Sequence, residues 1–201
     1  TMPSLEATER HHRILGLLAK EGQVRVRDLV RLLGVSAVTL RADLDYLERQ
    51  GQLRRVRGGA IRAKDRRFEL PLEATRMVHA REREAIGRKA ASLVQSGEIV
   101  FLDVGSTTTE MAQTLSPELK DVVVTNALNI ALLLEGHPGV TVVVTGGTLR
   151  PLQHSLVNPF GTRLLKEINA DKAFIGCNGV HPERGSTNTN LQEAEIKRAM
   201  I

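Results

Sequence analysis

The run DVGSTTTE, Asp103 to Glu110, directly follows the apolar stretch Ile99, Val100, Phe101 and Leu102. Gly105 lets a backbone approach a bound group closely. Ser106, Thr107 and Thr108 offer hydroxyls beside the unpaired N–H groups of a helix start, a favourable setting for phosphate. No lysine follows at the spacing of a triphosphate-binding loop, and no Gly-x-Gly-x-x-Gly is present, so nucleoside triphosphates and dinucleotides are disfavoured. The competing reading of the three hydroxyls is plain helix capping. Asp103 fits poorly beside phosphate, because two negative groups repel. It is expected to accept hydrogen bonds from sugar hydroxyls, or to fix the loop through backbone N–H groups. The residues pose a choice between turning a small anion over and sensing it.

Such a loop needs a sheet beneath it. From Gly97 the chain alternates between apolar strands (IVFLDV, VVVTN, VTVVVTGG, KAFIGC) and helical segments near Thr108–Leu115, Leu128–Leu134 and Gly161–Ile168. That alternation predicts a parallel sheet, whose ligands bind beyond the carboxyl ends of the strands. The ends carry Asp103 to Thr108, Thr125-Asn126, Thr145-Gly146-Gly147 and Asn178-Gly179, and they should converge on one site. Arg150 and Lys197 are the candidate cationic partners for an anion there; the plainer reading of each is a solvated surface charge. Likewise Gly146-Gly147 can be no more than a tight turn, and Asn126 no more than a helix cap.

The 201 residues, with 41% hydrophobic and 25% charged, suffice for one ordinary domain and a small one. No apolar run approaches the roughly 20 residues that cross a bilayer. The N-terminus lacks the basic and apolar regions of a signal peptide, so a cytoplasmic protein with no membrane partner is expected. Cys177, the sole cysteine, is expected to be a buried small residue in AFIGC. The six histidines, His11-His12 among them, show no ligand spacing, and neither metal nor cofactor is expected.

Charge is split unevenly. Residues 1–67 hold 15 Lys and Arg against 8 Asp and Glu, and the remainder 13 against 15. A small basic domain beside a mildly acidic one points to a polyanion, usually nucleic acid. Ile14, Leu17 and Leu18 sit at helical spacing before Gly22. Arg27 to Leu33 form a short helix with Leu29, Val30, Leu32 and Leu33 inward, Gly34 turns the chain, and Ser36 caps a third helix to about Arg49. This is a helix-turn-helix. Packing by Val35, Leu40, Leu44 and Leu47 leaves Ser36, Ala37, Thr39, Arg41 and Ala42 able to reach a major groove. In GQLRRVRGGAIR, Leu53, Val56 and Ile61 can anchor a small wing around a Gly58-Gly59 turn, with Arg54, Arg55 and Arg57 suited to phosphates. Pro71 and the charged run before it place a hinge near Lys64 to Leu72, ahead of a helix of about Thr75 to Gln95.

The run LGVSAVTLRADLDYLERQGQLRRVRGGA resembles the N-terminal signature of the DeoR-type family of bacterial sugar-metabolism repressors, without a gap. The resemblance implies a winged helix-turn-helix whose third helix enters the major groove. The family usually has paired arginines where this chain has Arg41-Ala42, and commonly a His where it has Arg57, so an operator sequence does not transfer. The second part resembles the DeoR-type effector domain, which is similar to ribose-5-phosphate isomerase and binds phosphorylated sugars. The matching residues are Asp103, Gly105, Ser106 and Thr107, Thr125-Asn126, Gly146-Gly147 with Arg150, Gly179, and Glu193 and Lys197 of QEAEIKRAMI. Ser106 stands where Thr is usual. The family normally continues through a further strand with an Asp-x-Ser-Lys motif, so the chain is read as truncated, and Thr1 before Met2 as an addition from expression.

The expectation is an α/β protein: a winged helix-turn-helix over 1–62, a linker over 63–74, and over 75–201 a Rossmann-like, mostly parallel, ribose-5-phosphate isomerase-like sheet for effector binding and oligomerisation. Its expected role is a repressor that binds double-stranded operator DNA as a homodimer or higher homo-oligomer and responds to a phosphorylated sugar. Two rivals stand beside it. One is a sugar-phosphate isomerase fused to a DNA-binding head, with Asp103 and Glu193 as its carboxylates. The other is a body that only dimerises.

Overall fold

A computed structural model describes residues 4–62 and 71–201. The chain forms two compact units, Thr1–Ala80 and Arg81–Ile201. The expected hinge at Lys64 to Leu72 lies outside the described residues except for Pro71 and Leu72.

In the first unit, α1 (Leu5–Glu21) starts on Ser4, whose hydroxyl accepts the N–H of Ala7, and stops on left-handed Gly22. A three-residue strand, β1 (Gln23–Arg25), follows, then α2 (Val26–Leu33) and left-handed Gly34. Helix α3 (Ala37–Arg49) is capped by Ser36, which accepts from Thr39 N–H. Strands β2 (Arg54–Val56) and β3 (Gly59–Ile61) join β1 in an antiparallel sheet of order β1-β3-β2. Ile14, Leu15, Leu18, Leu29, Leu40, Leu44, Leu47, Leu53 and Ala60 form the core.

Three expectations shift here. Leu32 is 55% exposed, because the inward stripe of α2 is Val26, Leu29, Val30 and Leu33, and Leu32 falls on the opposite side. Val56 is also exposed, because strand alternation turns Arg55, not Val56, toward the protein. The wing turn is Arg57-Gly58, and Gly59 lies inside β3. A Cβ on Gly59 would collide with the Val24 carbonyl of β1, so close strand approach requires glycine there.

The expected helix over 75–95 is two. α4 (Leu72–Arg76) packs on α1, burying Ala74 in the first unit's core. The chain then turns, His79 takes the left-handed conformation with φ 55°, and α5 (Ala80–Ala91) begins. The residues from Pro71 to Ala80, expected as the end of the linker and the start of the effector domain, thus fall in the first unit.

The second unit is built on four parallel strands, β4 (Ile99–Leu102), β5 (Asp121–Thr125), β6 (Val140–Val144) and, after two short strands, β9 (Lys172–Phe174), in the order β6-β5-β4-β9. Alternation along the strands makes two cores. Leu102 and Val123 face α5, α6 (Ser106–Gln113) and α7 (Leu128–Leu134), through Ala91, Met111 and Ile130. Phe101 and Val124 face α8 (Phe160–Lys166) and α9 (Leu191–Ala199), through Leu165 and Ile196. Two hairpins interrupt the alternation: β7 (Thr148–Arg150) with β8 (Ser155–Val157), and β10 (Gly179–His181) with β11 (Gly185–Thr187). Cys177 is exposed rather than buried, since β9 ends at Phe174 and Cys177 sits on the loop beyond it.

Candidate functional site

Register brings the strand ends level. Leu102 of β4 pairs with Thr125 of β5 and Phe174 of β9, and Thr125 pairs with Val144 of β6. Asp103, Asn126 and Thr145 are thus the next residues on adjacent strands. The Asn126 side chain accepts the N–H of Val104 at 2.9 Å, tying the β5 end to the loop after β4. Asn126 does not cap α7, whose cap is Ala127 without a side-chain bond. The Thr125 hydroxyl donates to Leu102 O at 2.6 Å and accepts from Ala127 N–H, so it serves the backbone on both sides.

Asp103 is fully buried. Its Oδ2 accepts from Gly176 N–H at 3.0 Å and pairs with the Lys197 ammonium of α9. Its Oδ1 is buried with no partner, as is the Nδ2 amide of Asn126. Burial pushes the Asp103 carboxyl above its ordinary value, against the pull of Lys197 and the Gly176 N–H. An orphan acceptor and an orphan donor on adjacent strand ends are costly without a partner, and a hydroxyl group can satisfy both kinds.

A second pair lies nearby in sequence. Arg150 of β7 pairs with Glu193 on the first turn of α9, and Ser155 donates to the same carboxylate at 2.8 Å. The expected cations for an anion, Arg150 and Lys197, are therefore each held by a carboxylate. Gly147 is explained by packing, since a Cβ would collide with the Val157 carbonyl of β8, and left-handed Gly146 precedes it in the turn. Gly179 belongs to the β10–β11 hairpin, where its carbonyl accepts from Thr187.

At the start of α6, the Thr108 hydroxyl donates back to Gly105 O at 3.0 Å. Ser106 and Thr107 are engaged differently. Arg83 Nη1, from the first turn of α5, donates to Ser106 Oγ at 2.6 Å and to Thr107 Oγ1 at 3.2 Å. A Cβ on Gly105 would meet only Thr108 Oγ1, at 3.1 Å, so the glycine leaves the mouth of the loop open.

In the first unit, Ser36 is both cap and partner to the Thr39 hydroxyl at 2.8 Å, and Ala37 is half-buried against the core. Arg41, Arg54 and Arg57 are exposed on α3 and the wing. Arg55 is held instead: Nη1 donates to Arg41 O at 3.1 Å and pairs with Asp45, and its backbone N–H donates to Glu48 at 2.6 Å. A capped third helix with Arg41 exposed near its start, and a basic wing held to it, are suited to a nucleic-acid-reading surface.

Residues 10–66 match the family described as the DeoR-like helix-turn-helix domain, and residues 78–201 match the DeoR C terminal sensor domain. The chain belongs to the DeoR family. It is similar to the HTH-type transcriptional regulator GolR of Listeria innocua, 33% identical over 96% of this chain and 76% of the relative. It is also similar to a putative aga operon transcriptional repressor of Escherichia coli O157:H7, 33% identical over 96% and 72%. The glycerol-3-phosphate regulon repressor of E. coli K12 is 27% identical over 98% and 78%. The chain is a DNA-binding transcriptional regulator with a helix-turn-helix head and a sensor domain.

Sequence reasoning missed two groups in this DeoR-family chain. Arg83 lay in a helix of many similar charges, and one signal pointed to it: Gly87, four residues on, marks the face of α5 that touches its neighbour. The Arg10–Asp43–His11 cluster joining α1 to α3 left no local signal, since Asp43 is more than 30 residues from Arg10 and His11. Among the described residues no group of His, Cys, Asp or Glu could hold a metal ion, and no helix is long and apolar enough to cross a membrane.

Proposed function

We propose that the protein binds operator DNA as a homodimer and represses genes of carbohydrate metabolism, and that a phosphorylated sugar in the sensor domain alters that binding. The observation that carries the reading is the meeting of two unlike groups at the carboxyl end of the sheet. The Ser106-Thr107 start of α6 suits a phosphate, and the orphan atoms of Asp103 and Asn126 suit sugar hydroxyls. Ser36, Ala37, Thr39 and Arg41 read bases from α3, and Arg54 and Arg57 contact phosphates from the wing. The relatives named for the aga operon and the glycerol-3-phosphate regulon support a carbohydrate-linked effector.

The domain senses rather than catalyses. A general base must be able to take a proton from the substrate, yet Glu193 is held by Arg150 and Ser155, and Asp103 by Lys197. For the ligand to act, it must bind the DNA-competent and DNA-incompetent forms unequally. The test begins by selecting a tight duplex from a random library with the full chain. Phosphorylated and unphosphorylated sugars are then titrated against that complex. One phosphorylated compound is expected to shift operator affinity at least fivefold while its unphosphorylated parent does not. A panel with no effect on a tightly bound operator would sink the sensor reading. Product formation from any of the sugars would favour the isomerase.

A further inference from the structure

We propose that Val38, with Ala42 one turn beyond it, is a base-reading contact of the head, and that it selects a thymine through the C5 methyl group in the major groove. The inference rests on the reading above, in which α3 enters the groove, and adds to it a residue and the base that residue chooses.

The outward face of α3 is a single stripe. Val38, Arg41, Ala42, Asp45 and Arg49 are all exposed and fall at i, i+3, i+4, i+7 and i+11. Leu40, Leu44 and Leu47 are buried on the opposite side. At the start of the helix the hydroxyls are already engaged. Ser36 Oγ accepts Thr39 N–H at 3.1 Å and lies 2.8 Å from Thr39 Oγ1, while Ala37 packs on the core. Of the residues Ala37 to Leu40, Val38 is the exposed one, at 74%. The N-terminal turn of a reading helix is the part that meets base edges.

A lone exposed valine is ordinary on a protein surface. At this place the fold gives no reason for it. A β-branched side chain loses rotamer freedom in a helix, so valine is a poorer helix former than alanine, and Val38 lies outside the core that would offset the difference. First turns favour acidic residues, and that of α3 has none. A carboxylate there would repel the phosphates that flank a groove.

The chemistry of the groove names the base. Thymine alone presents an apolar group on the major-groove edge. Val38 brings two methyl groups and Ala42 a third, four residues on, with no polar atom in either side chain. A donor or acceptor of another base, set against them, would lose its water and gain no hydrogen bond, whereas a methyl loses nothing. Arg41 flanks the patch on one side, and Asp45, paired with Arg55 of β2, lies beyond it.

The test uses the full chain and the tight duplex selected from a random library. Each thymine in turn is replaced by deoxyuridine, which lacks only the C5 methyl, and affinity is read by fluorescence anisotropy. Wild type is expected to lose about three- to sixfold at one thymine of each half-site, as burial of one methyl group implies. Val38→Ala should bind the thymine duplex about three- to tenfold more weakly and distinguish thymine from uracil at that position less than about twofold. Its salt dependence should match wild type, since no phosphate contact is lost. Val38→Thr, which keeps one methyl and the shape, should fall between. Circular dichroism checks folding, and if Val38→Ala does not fold, Val38→Thr decides. A selected site without thymine, a wild type indifferent to every thymine-to-uracil change, or a Val38→Ala protein that keeps the full discrimination overturns the proposal. If Arg41→Ala still weakens the selected duplex in those cases, reading by α3 stands without Val38. If neither Val38→Ala nor Arg41→Ala changes operator affinity, both readings fall.

Discussion

Asp43 in the head and Asp103 in the sensor domain are both buried carboxylates facing a cation, and they are finished differently. Asp43 accepts from Arg10 Nε at 2.6 Å and Nη2 at 3.0 Å, and His11 Nε2–H donates to it at 2.9 Å. The His11 ring stacks on Tyr46, 5.0 Å between centroids. Burial works to raise the Asp43 carboxyl, but the hydrogen bonds from Arg10 and His11 outweigh it and hold the group below its ordinary value. Asp103 has one oxygen satisfied and one buried without a partner, and burial wins, raising it. A carboxylate with both oxygens engaged is part of the fold. One with an orphan oxygen holds a capacity that the fold does not use and a ligand can.

The comparison is open to breaking, most forcefully at Asp43. Asp43→Ala leaves Arg10 and His11 without their anion between α1 and α3, and should cost the head about 2–3 kcal/mol in denaturant unfolding of the full chain. A loss under about 0.5 kcal/mol, the range of an ordinary surface substitution, would show that the satisfied pair holds nothing together. Asp103→Asn should weaken the phosphorylated sugar at least tenfold, about 1.4 kcal/mol. Adding Lys197→Met should restore stability lost by stranding the ammonium, yet leave the response absent. A double variant that senses normally would return Asp103 to the fold.

Acid separates the two by sign. The folded value of Asp43 is depressed, so its contribution is complete above the unfolded carboxylate value of about 3.9 and is lost only as pH falls through the lower folded value. The folded value of Asp103 is raised, so stability falls as pH rises from the unfolded value toward the folded one. Between those limits, mild acid should firm the sensor domain and leave the head unchanged, which hydrogen exchange resolved by residue would register. The smallest effect concerns the wing, where the same rule sorts three arginines. Arg55→Ala, which loses partly exposed pairing, should cost under about 1 kcal/mol of stability. Replacing exposed Arg54 and Arg57 together should leave stability alone and lower the salt dependence of DNA binding by about two counterions.

The elements that obey a period were readable from residues alone. The stripe Leu40, Leu44, Leu47 and the punctuating Gly34 declared the helix-turn-helix, and the β-branched runs declared the parallel sheet whose ends gather Asp103 and Asn126. The three-residue strands β1 and β2 are too short to show alternation, so the residues alone do not separate Arg55, which pairs with Asp45, from exposed Arg54 and Arg57. The candidate site was legible at the strand ends, because topology alone gathers those residues where ligands of parallel sheets bind. Its cations were not. Which arginine or lysine meets which carboxylate depends on side chains that approach from other elements, and Arg83 reaches α6 through a contact made by the bareness of Gly87.

The attachment of the wing has a kinetic meaning. Because Arg55 reaches from β2 to Asp45 and to the Arg41 carbonyl of α3, helix and wing approach a duplex as one piece. Little conformational entropy is left to be lost by ordering the wing on contact, so docking resembles the meeting of two preshaped bodies. Their spacing is also fixed before DNA arrives. On the proposed reading, with bases read by α3 and phosphates touched by Arg54 and Arg57, the two contacts are coupled in register, and a duplex whose groove width does not match that interval would be rejected even where its sequence is right.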